Sequence, residues 1–149
     1  MTPHSQLIRQ CDKLFAEFIL LIRGPNCEVH NSTFCDRIGT AHLLSKAAHP
    51  RLRFCPANVI RACWFKSHYF THHDSSDPRA QRFYEAAARK KGFKDFESLK
   101  DYLKTVEITQ DRHSTLYLEA LKMDLQKKIK DMKKNRFGRT KGTPCAPST

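Results

Sequence analysis

The chain has 149 residues, 40% of them hydrophobic, which is enough for one modest domain with a small core. Its 27 Lys and Arg against 15 Asp and Glu leave a net charge of +12. That balance points to a polyanionic partner, nucleic acid being favoured over a basic surface that is merely well solvated. No apolar run approaches the ~20 residues of a membrane span, so no membrane partner is expected. The opening MTPHSQLIRQCDKLF lacks the basic lead and apolar core of a secretory signal. A cytoplasmic setting is therefore expected. There the six cysteines, Cys11, Cys27, Cys35, Cys55, Cys63 and Cys145, are reduced thiols or metal ligands rather than disulfides.

Residues 1–25 are expected to hold an N-terminal helix, from about Ser5 to Arg23. Leu7, Ile8, Cys11, Leu14, Phe15, Phe18 and Ile22 fall on one stripe at helical spacing. Gly24-Pro25 stops the helix, and Cys11 on the stripe reads as a buried structural thiol.

Residues 26–75 carry the chemistry. Cys27 and His30 have the two-residue gap of a metal knuckle, and Cys35 follows five residues later. Two short strands are expected over Ile38–Ser45 and about Phe54–Arg61, the connection carrying Lys46, His49, Arg51 and Arg53. Cys63 stands where a second knuckle belongs, but Lys66 and Ser67 occupy the positions of its partner. Cys35 or His68 is left to supply the fourth ligand of a structural Zn²⁺. From Trp64 to about Thr71 the chain can be helical. His68 and His72, four apart, then share a face one turn (~6 Å) apart and can hold one metal ion. A polar surface with several histidines is the plainer reading of each alone.

Residues 76–139 read as helical. Asp77 is a plausible N-cap with Pro78 at the first helical position. Phe83, Tyr84, Ala87 and Ala88 form the buried side, and Gly92 ends the helix. Asp95 caps a second helix with Phe96, Leu99, Tyr102, Leu103 and Val106 inward. After Thr109 a long helix places Leu118, Leu121, Leu125, Ile129 and Met132 at spacings of three and four. Its end is basic, with Lys127, Lys130, Lys133 and Lys134 among the cations available to DNA phosphates. Residues 140–149, with two prolines, read as a disordered tail.

The order His42, Asn58, then His68 and His72, on strand, loop, strand and helix, resembles the HNH (ββα-metal) nucleases. The stretch AHLLSKAAHPRLRFCPANVIRAC resembles the core of the NinG (Rap) recombination proteins of lambdoid phages. Its specific part is the spacing from His42 through Leu52-Arg53-Phe54 to Asn58 and Cys63. Two departures stand out: the family's first Cys-x-x-Cys is Cys27-x-x-His30 here, and the second lacks its last cysteine. The expected fold is α+β and mostly helical, with a small ββα-metal core flanked by an N-terminal helix and C-terminal helices. The resemblance implies an endonuclease acting on branched recombination intermediates, and that substrate preference comes from the resemblance alone.

Residue chemistry suggests how the phosphodiester work divides. His42 is the candidate general base, since imidazole titrates near working pH. Asn58 would hold the His42 segment, and His68 and His72 would bind one Mg²⁺ or Mn²⁺, with Asp74 or Asp77 as a further ligand. Lys46, Arg51 and Arg53 would grip neighbouring phosphates. The alternatives are a non-catalytic DNA-binding module that keeps fold and charge, and a zinc-stabilised protein-interaction domain.

Overall fold

The computed structural model describes residues 2–30, 35, 37–63, 78–111 and 113–139. Within them the protein is α+β and mostly helical: α1 (Pro3–Arg23), β1 (Ile38–His42), β2 (Val59–Cys63), α2 (Pro78–Lys90), α3 (Phe96–Thr109) and α4 (Thr115–Arg139). The expected helix over 64–71, the Asp77 cap and the 140–149 tail lie outside the described residues.

Helix α1 starts two residues earlier than its stripe predicts. The Thr2 hydroxyl accepts the Ser5 N–H at 3.2 Å, and Pro3 occupies the first turn, where a missing N–H costs nothing. Gly24 ends it at φ +83°, a conformation a side chain disfavours, and donates its N–H to the Leu20 carbonyl at 2.8 Å. The fully buried positions are Cys11, Phe15 and Ile19. Ile19 is not on the predicted stripe, whereas Ile22, which is on it, is 43% exposed. The stripe ends early because the last turn carries Ile22 away from the partner helix and sends Arg23 to the main chain of β2.

The two strands form one antiparallel hairpin, with Ile38 opposite Cys63 and His42 opposite Val59. Both strand boundaries correct the expectation. β1 stops at His42, three residues short of Ser45, and β2 begins at Val59 rather than near Phe54. Pro50 and Pro56 each open a 3-10 turn (Pro50–Leu52 and Pro56–Asn58) that folds the connection onto itself. This shift brings Cys63 inside the sheet.

All five residues of β2 are buried, because the strand is covered on both faces. Ile60 and Ala62, with Ala41 of β1, pack against Phe83, Ala87 and Ala88 of α2 and Leu99 and Leu103 of α3. Val59 packs with Phe54 against Cys11, Phe15 and Ile19 of α1 and Leu118 and Leu125 of α4. The period-2 alternation of the strand thus divides its side chains between two helix pairs. Gly92 at φ +84° and the Asp95 side chain, which accepts the Ser98 N–H at 2.8 Å, separate α2 from α3 as predicted. Tyr102, expected inward, is 45% exposed, since Leu99 and Leu103 already fill the inner face.

Helices α1 and α4 run parallel, because the residues that meet across them advance together along both. His4 meets Thr115 (3.1 Å), Gln10 meets Lys122 (2.8 Å), Glu17 meets Lys133 (2.5 Å), and the Leu21 carbonyl meets Arg136 (3.0 Å). The Cys11 thiol lies inside this seam, 3.4 Å from the Leu118 carbonyl. Phe54 joins it edge-on to Phe15, with ring centroids 5.8 Å apart. Ile19 is fully buried in the seam, so Ile19→Ala should lower the unfolding free energy by about 2–5 kcal/mol in a denaturant titration. A decrease smaller than about 0.5 kcal/mol would show that the seam does not hold the domain together.

Candidate functional site

Cys27, His30, Cys35 and Cys63 converge at the open end of the hairpin. Their ligand atoms all lie within 4.8 Å of one another, and His30 Nδ1 is 3.4 Å from each of the three sulfurs. A tetrahedral zinc, with bonds of about 2.3 Å to sulfur and 2.0–2.1 Å to nitrogen, needs ligand atoms about 3.6–3.8 Å apart. The set is therefore compatible with a structural Zn²⁺ site. Of the two expected sources of the fourth ligand, the fold brings in Cys35; His68 lies outside the described residues.

The backbone explains how the cluster is held. The Glu28 N–H donates to the Arg61 carbonyl at 2.8 Å, and the Arg61 N–H returns to the Glu28 carboxylate at 2.6 Å. This clamps the Cys27–His30 turn to β2 two residues before Cys63. Burial, then the neighbouring Cys27 and Cys63 sulfurs, push the Cys35 thiol up to about 11. A divalent cation among the sulfurs reverses that preference, because it stabilises thiolates outright. Three thiolates and one imidazole on Zn²⁺ carry a net charge of about −1. The Arg61 guanidinium, 8% exposed and within the fields of Glu28 and Cys27, is placed to offset it.

At the opposite end of β1 stands His42. Its Nε2 lies 2.7 Å from the Arg53 carbonyl oxygen. A carbonyl only accepts, so Nε2 carries the proton and Nδ1 keeps the lone pair. Burial holds the imidazole below its ordinary range, outweighing the Arg53 carbonyl, which favours the protonated form. Burial thus favours the neutral form of His42, in the tautomer that the Arg53 carbonyl selects.

Asn58 is fully buried and supplies the frame. Its Oδ1 accepts the Leu44 N–H at 2.8 Å, and its Nδ2 donates to the carbonyls of Leu44 (2.9 Å) and Leu52 (3.3 Å). Its own carbonyl accepts the Leu43 N–H at 2.8 Å. Leu44 follows His42 by two residues, and Leu52 precedes Arg53, whose carbonyl holds the ring. One amide thus ties together both segments that position the imidazole.

The basic residues divide into committed and open ones. Arg53 makes two bonds to the Asp12 carboxylate, at 2.9 and 2.6 Å, and Lys46 approaches the same group at 3.8 Å. Asp12 thereby anchors the loop to α1 and engages the guanidinium expected to face phosphate. Arg51 instead lines a cleft of about 430 Å³ with Arg53, His4 and His113. Neither of these histidines stands out in the sequence. His113 stacks on Tyr117 with centroids 5.0 Å apart and leans on Phe54; only its place after a helix end could mark it. On α4, Lys127, Lys130 and Lys134 are exposed, while Lys133 pairs with Glu17 at 2.5 Å. His72 and the two acidic candidates, Asp74 and Asp77, lie outside the described residues.

No family model, curated protein or solved structure matches the chain.

Purified protein should carry about one zinc per chain, and Cys63→Ser or Cys35→Ser should lose it and lower the melting temperature. Metal analysis beside a thermal melt checks this; a fully folded, zinc-free wild type would show that the four side chains hold no structural ion. Asn58→Leu should destabilise the domain by about 1–3 kcal/mol by stranding the Leu44 and Leu52 polar groups. Unchanged stability to urea would remove Asn58 from the frame.

Proposed function

We propose that the protein is a metal-dependent DNA endonuclease of HNH type, built on a ββα-metal core and cutting branched recombination intermediates. The observation that carries the reading is His42: a half-buried imidazole with Nε2 spent on a carbonyl and Nδ1 left as a base, framed by a buried Asn. A core histidine needs only a satisfied proton, whereas this one is held in a single tautomer by two segments that the same amide joins. The net charge of +12 supplies the attraction for a phosphate backbone.

In this reading His42 Nδ1 accepts a proton from the attacking water as its oxygen bonds to phosphorus. The bond from phosphorus to the 3′ oxygen then breaks, leaving a 5′ phosphate and a 3′ hydroxyl once that oxygen is protonated. Asn58 and the Asp12–Arg53 pair keep the imidazole from rotating away. His68 and His72 are the proposed ligands of Mg²⁺ or Mn²⁺, which would neutralise charge on the phosphate and the departing oxygen. Arg51 and Lys46, with the lysines of α4, would hold flanking phosphates. The preference for branched DNA rests on the resemblance to NinG proteins.

His42→Ala should slow Mg²⁺- or Mn²⁺-dependent cleavage by about 10²–10⁴-fold while DNA affinity stays within a few fold. A variant that cuts at the wild-type rate removes His42 from the chemistry, and binding without cutting in any metal favours a non-catalytic DNA-binding module. Because burial lowers the pKa of His42, the neutral base accumulates at lower pH than for a free imidazole. The rate should therefore rise through a midpoint below about 6.5 and level off by neutrality. A midpoint above about 7 would contradict the assignment.

The lysines of α4 belong to affinity. Replacing Lys127, Lys130, Lys133 and Lys134 by Gln should weaken binding to all DNA forms alike. The log–log salt slope should flatten by about 0.9 for each phosphate no longer neutralised. An unchanged slope would assign this face to solvent and leave binding to the Lys46–Arg53 loop.

A further inference from the structure

A second cleft, of about 550 Å³, lies where α1 ends, α2 gives way to α3, and the Pro56–Asn58 turn passes between them. Arg23, Lys90, Lys91, Glu28, Phe93 and Tyr102 line it. Two of the cations converge on one acceptor: Arg23 donates to the Pro56 carbonyl at 2.6 Å and Lys91 to the same oxygen at 3.3 Å. Glu28 sits 3.5 Å from Arg23 but also accepts the Arg61 N–H, so its charge is shared. Among the described residues neither Lys90 nor Lys91 has a carboxylate partner in salt-bridge range. Desolvation, then the charge of Arg23, bring the half-buried Lys91 ammonium down to about 8, against the opposing pull of Glu28 and Cys55.

Beside the cations is an aromatic wall. Phe93 packs on the core, and Tyr102 leans on it with centroids 5.3 Å apart. Tyr102 is 45% exposed, which leaves ring surface free to stack on a planar ligand. The volume falls within the range of small-ligand sites.

We propose that this cleft binds a phosphorylated nucleoside, with its phosphate held by Arg23, Lys90 and Lys91 and its base stacked on Tyr102. The ligand class rests on the nucleic-acid reading above; the site itself is separate from His42. Cations that grip phosphate beside a ring that accepts any base are the means by which single strands are held without sequence preference.

The test is an NMR titration of the full chain with thymidine 5′-monophosphate, inorganic phosphate, thymidine, and a thymidine dinucleotide without a terminal phosphate. The monophosphate should shift the Lys91 Cε and Tyr102 ring signals saturably, with inorganic phosphate about tenfold weaker or more and thymidine weaker still. A dinucleotide that matches the monophosphate identifies an internal strand position; one that fails identifies a strand end or free nucleotide, and either result supports the site. Lys91→Met should weaken the monophosphate about tenfold without lowering the melting temperature, since an apolar side chain replaces a desolvated cation. Tyr102→Ala should reduce its affinity to that of inorganic phosphate. Affinity should also fall as the pH rises through about 8 in the wild type, and not in Lys91→Met. No saturable shift with the monophosphate, or unchanged affinity in both variants, overturns the proposal. Cleavage without monophosphate binding sinks the cleft alone, and monophosphate binding without cleavage sinks the nuclease alone.

Discussion

The buried side-chain amide of Asn58 is the constraint on which the rest of this domain turns. Sixteen residues separate the strands of the hairpin, from 43 to 58, and the two 3-10 turns within them shape the connection only locally. The Asn58 amide ties its two sides by joining Leu44 to Leu52. Buried amide groups are costly unless paired, so the loop conformation that satisfies them is strongly selected. With the loop closed, Leu52 and Phe54 drop into separate cores, and the Arg53 carbonyl arrives beside His42. Packing and candidate chemistry thus meet in one buried amide, with the Asp12–Arg53 pair tying the same loop to α1.

The other end of the hairpin is organised differently. There the Cys27–His30 turn is attached to β2 through reciprocal Glu28–Arg61 bonds. A metal ion in the adjacent Cys/His cluster would do the work that hydrophobic burial does elsewhere, since coordination energy becomes folding energy in small domains. Charge runs through both ends of the sheet. Asp12 gathers Arg53 and Lys46, and Glu28 gathers Arg23 and the main chain of Arg61. With so few acidic groups in so basic a chain, these two are placed where a cation must be oriented.

How much of this is legible in the sequence depends on the range of the interaction. Local signals read well: Gly24 and Gly92 as helix ends, Asp95 as a cap, and two short strands on either side of a proline-bearing connection. Cys27 and His30 are identifiable as candidate metal ligands from their two-residue gap, and Cys63 from its place after the second strand. Cys35 can only be one of two alternatives, because its five-residue gap from His30 has no regular meaning. The strand limits escape a sequence reading, since the Pro56–Asn58 turn looks extended until its tertiary partners are known. Ile19 is overlooked and Tyr102 placed inward because a helical stripe does not say which helix will cover it. The Asp12–Arg53 pair spans 41 positions, and the convergence of Arg23 and Lys91 on Pro56 spans three elements; no pattern along the chain encodes either. His42 and Asn58 can be singled out together, but the Arg53 carbonyl that selects the tautomer cannot, as every residue has one.

The parallel seam between α1 and α4 has a consequence for the order in which the chain can assemble. Cys11 meets Leu118 across 107 positions, so the apolar side of α1 has this partner surface only after nearly all the intervening residues have been made. Until then Phe15 and Ile19 have, of the described buried residues of their cluster beyond α1 itself, Phe54 and Val59. Pairings this remote demand closure of a long loop before any reward arrives, which slows folding relative to a bundle of sequential neighbours. In a nascent chain the apolar side of α1 is accordingly open to capture by chaperones or by other unfinished copies until α4 is made.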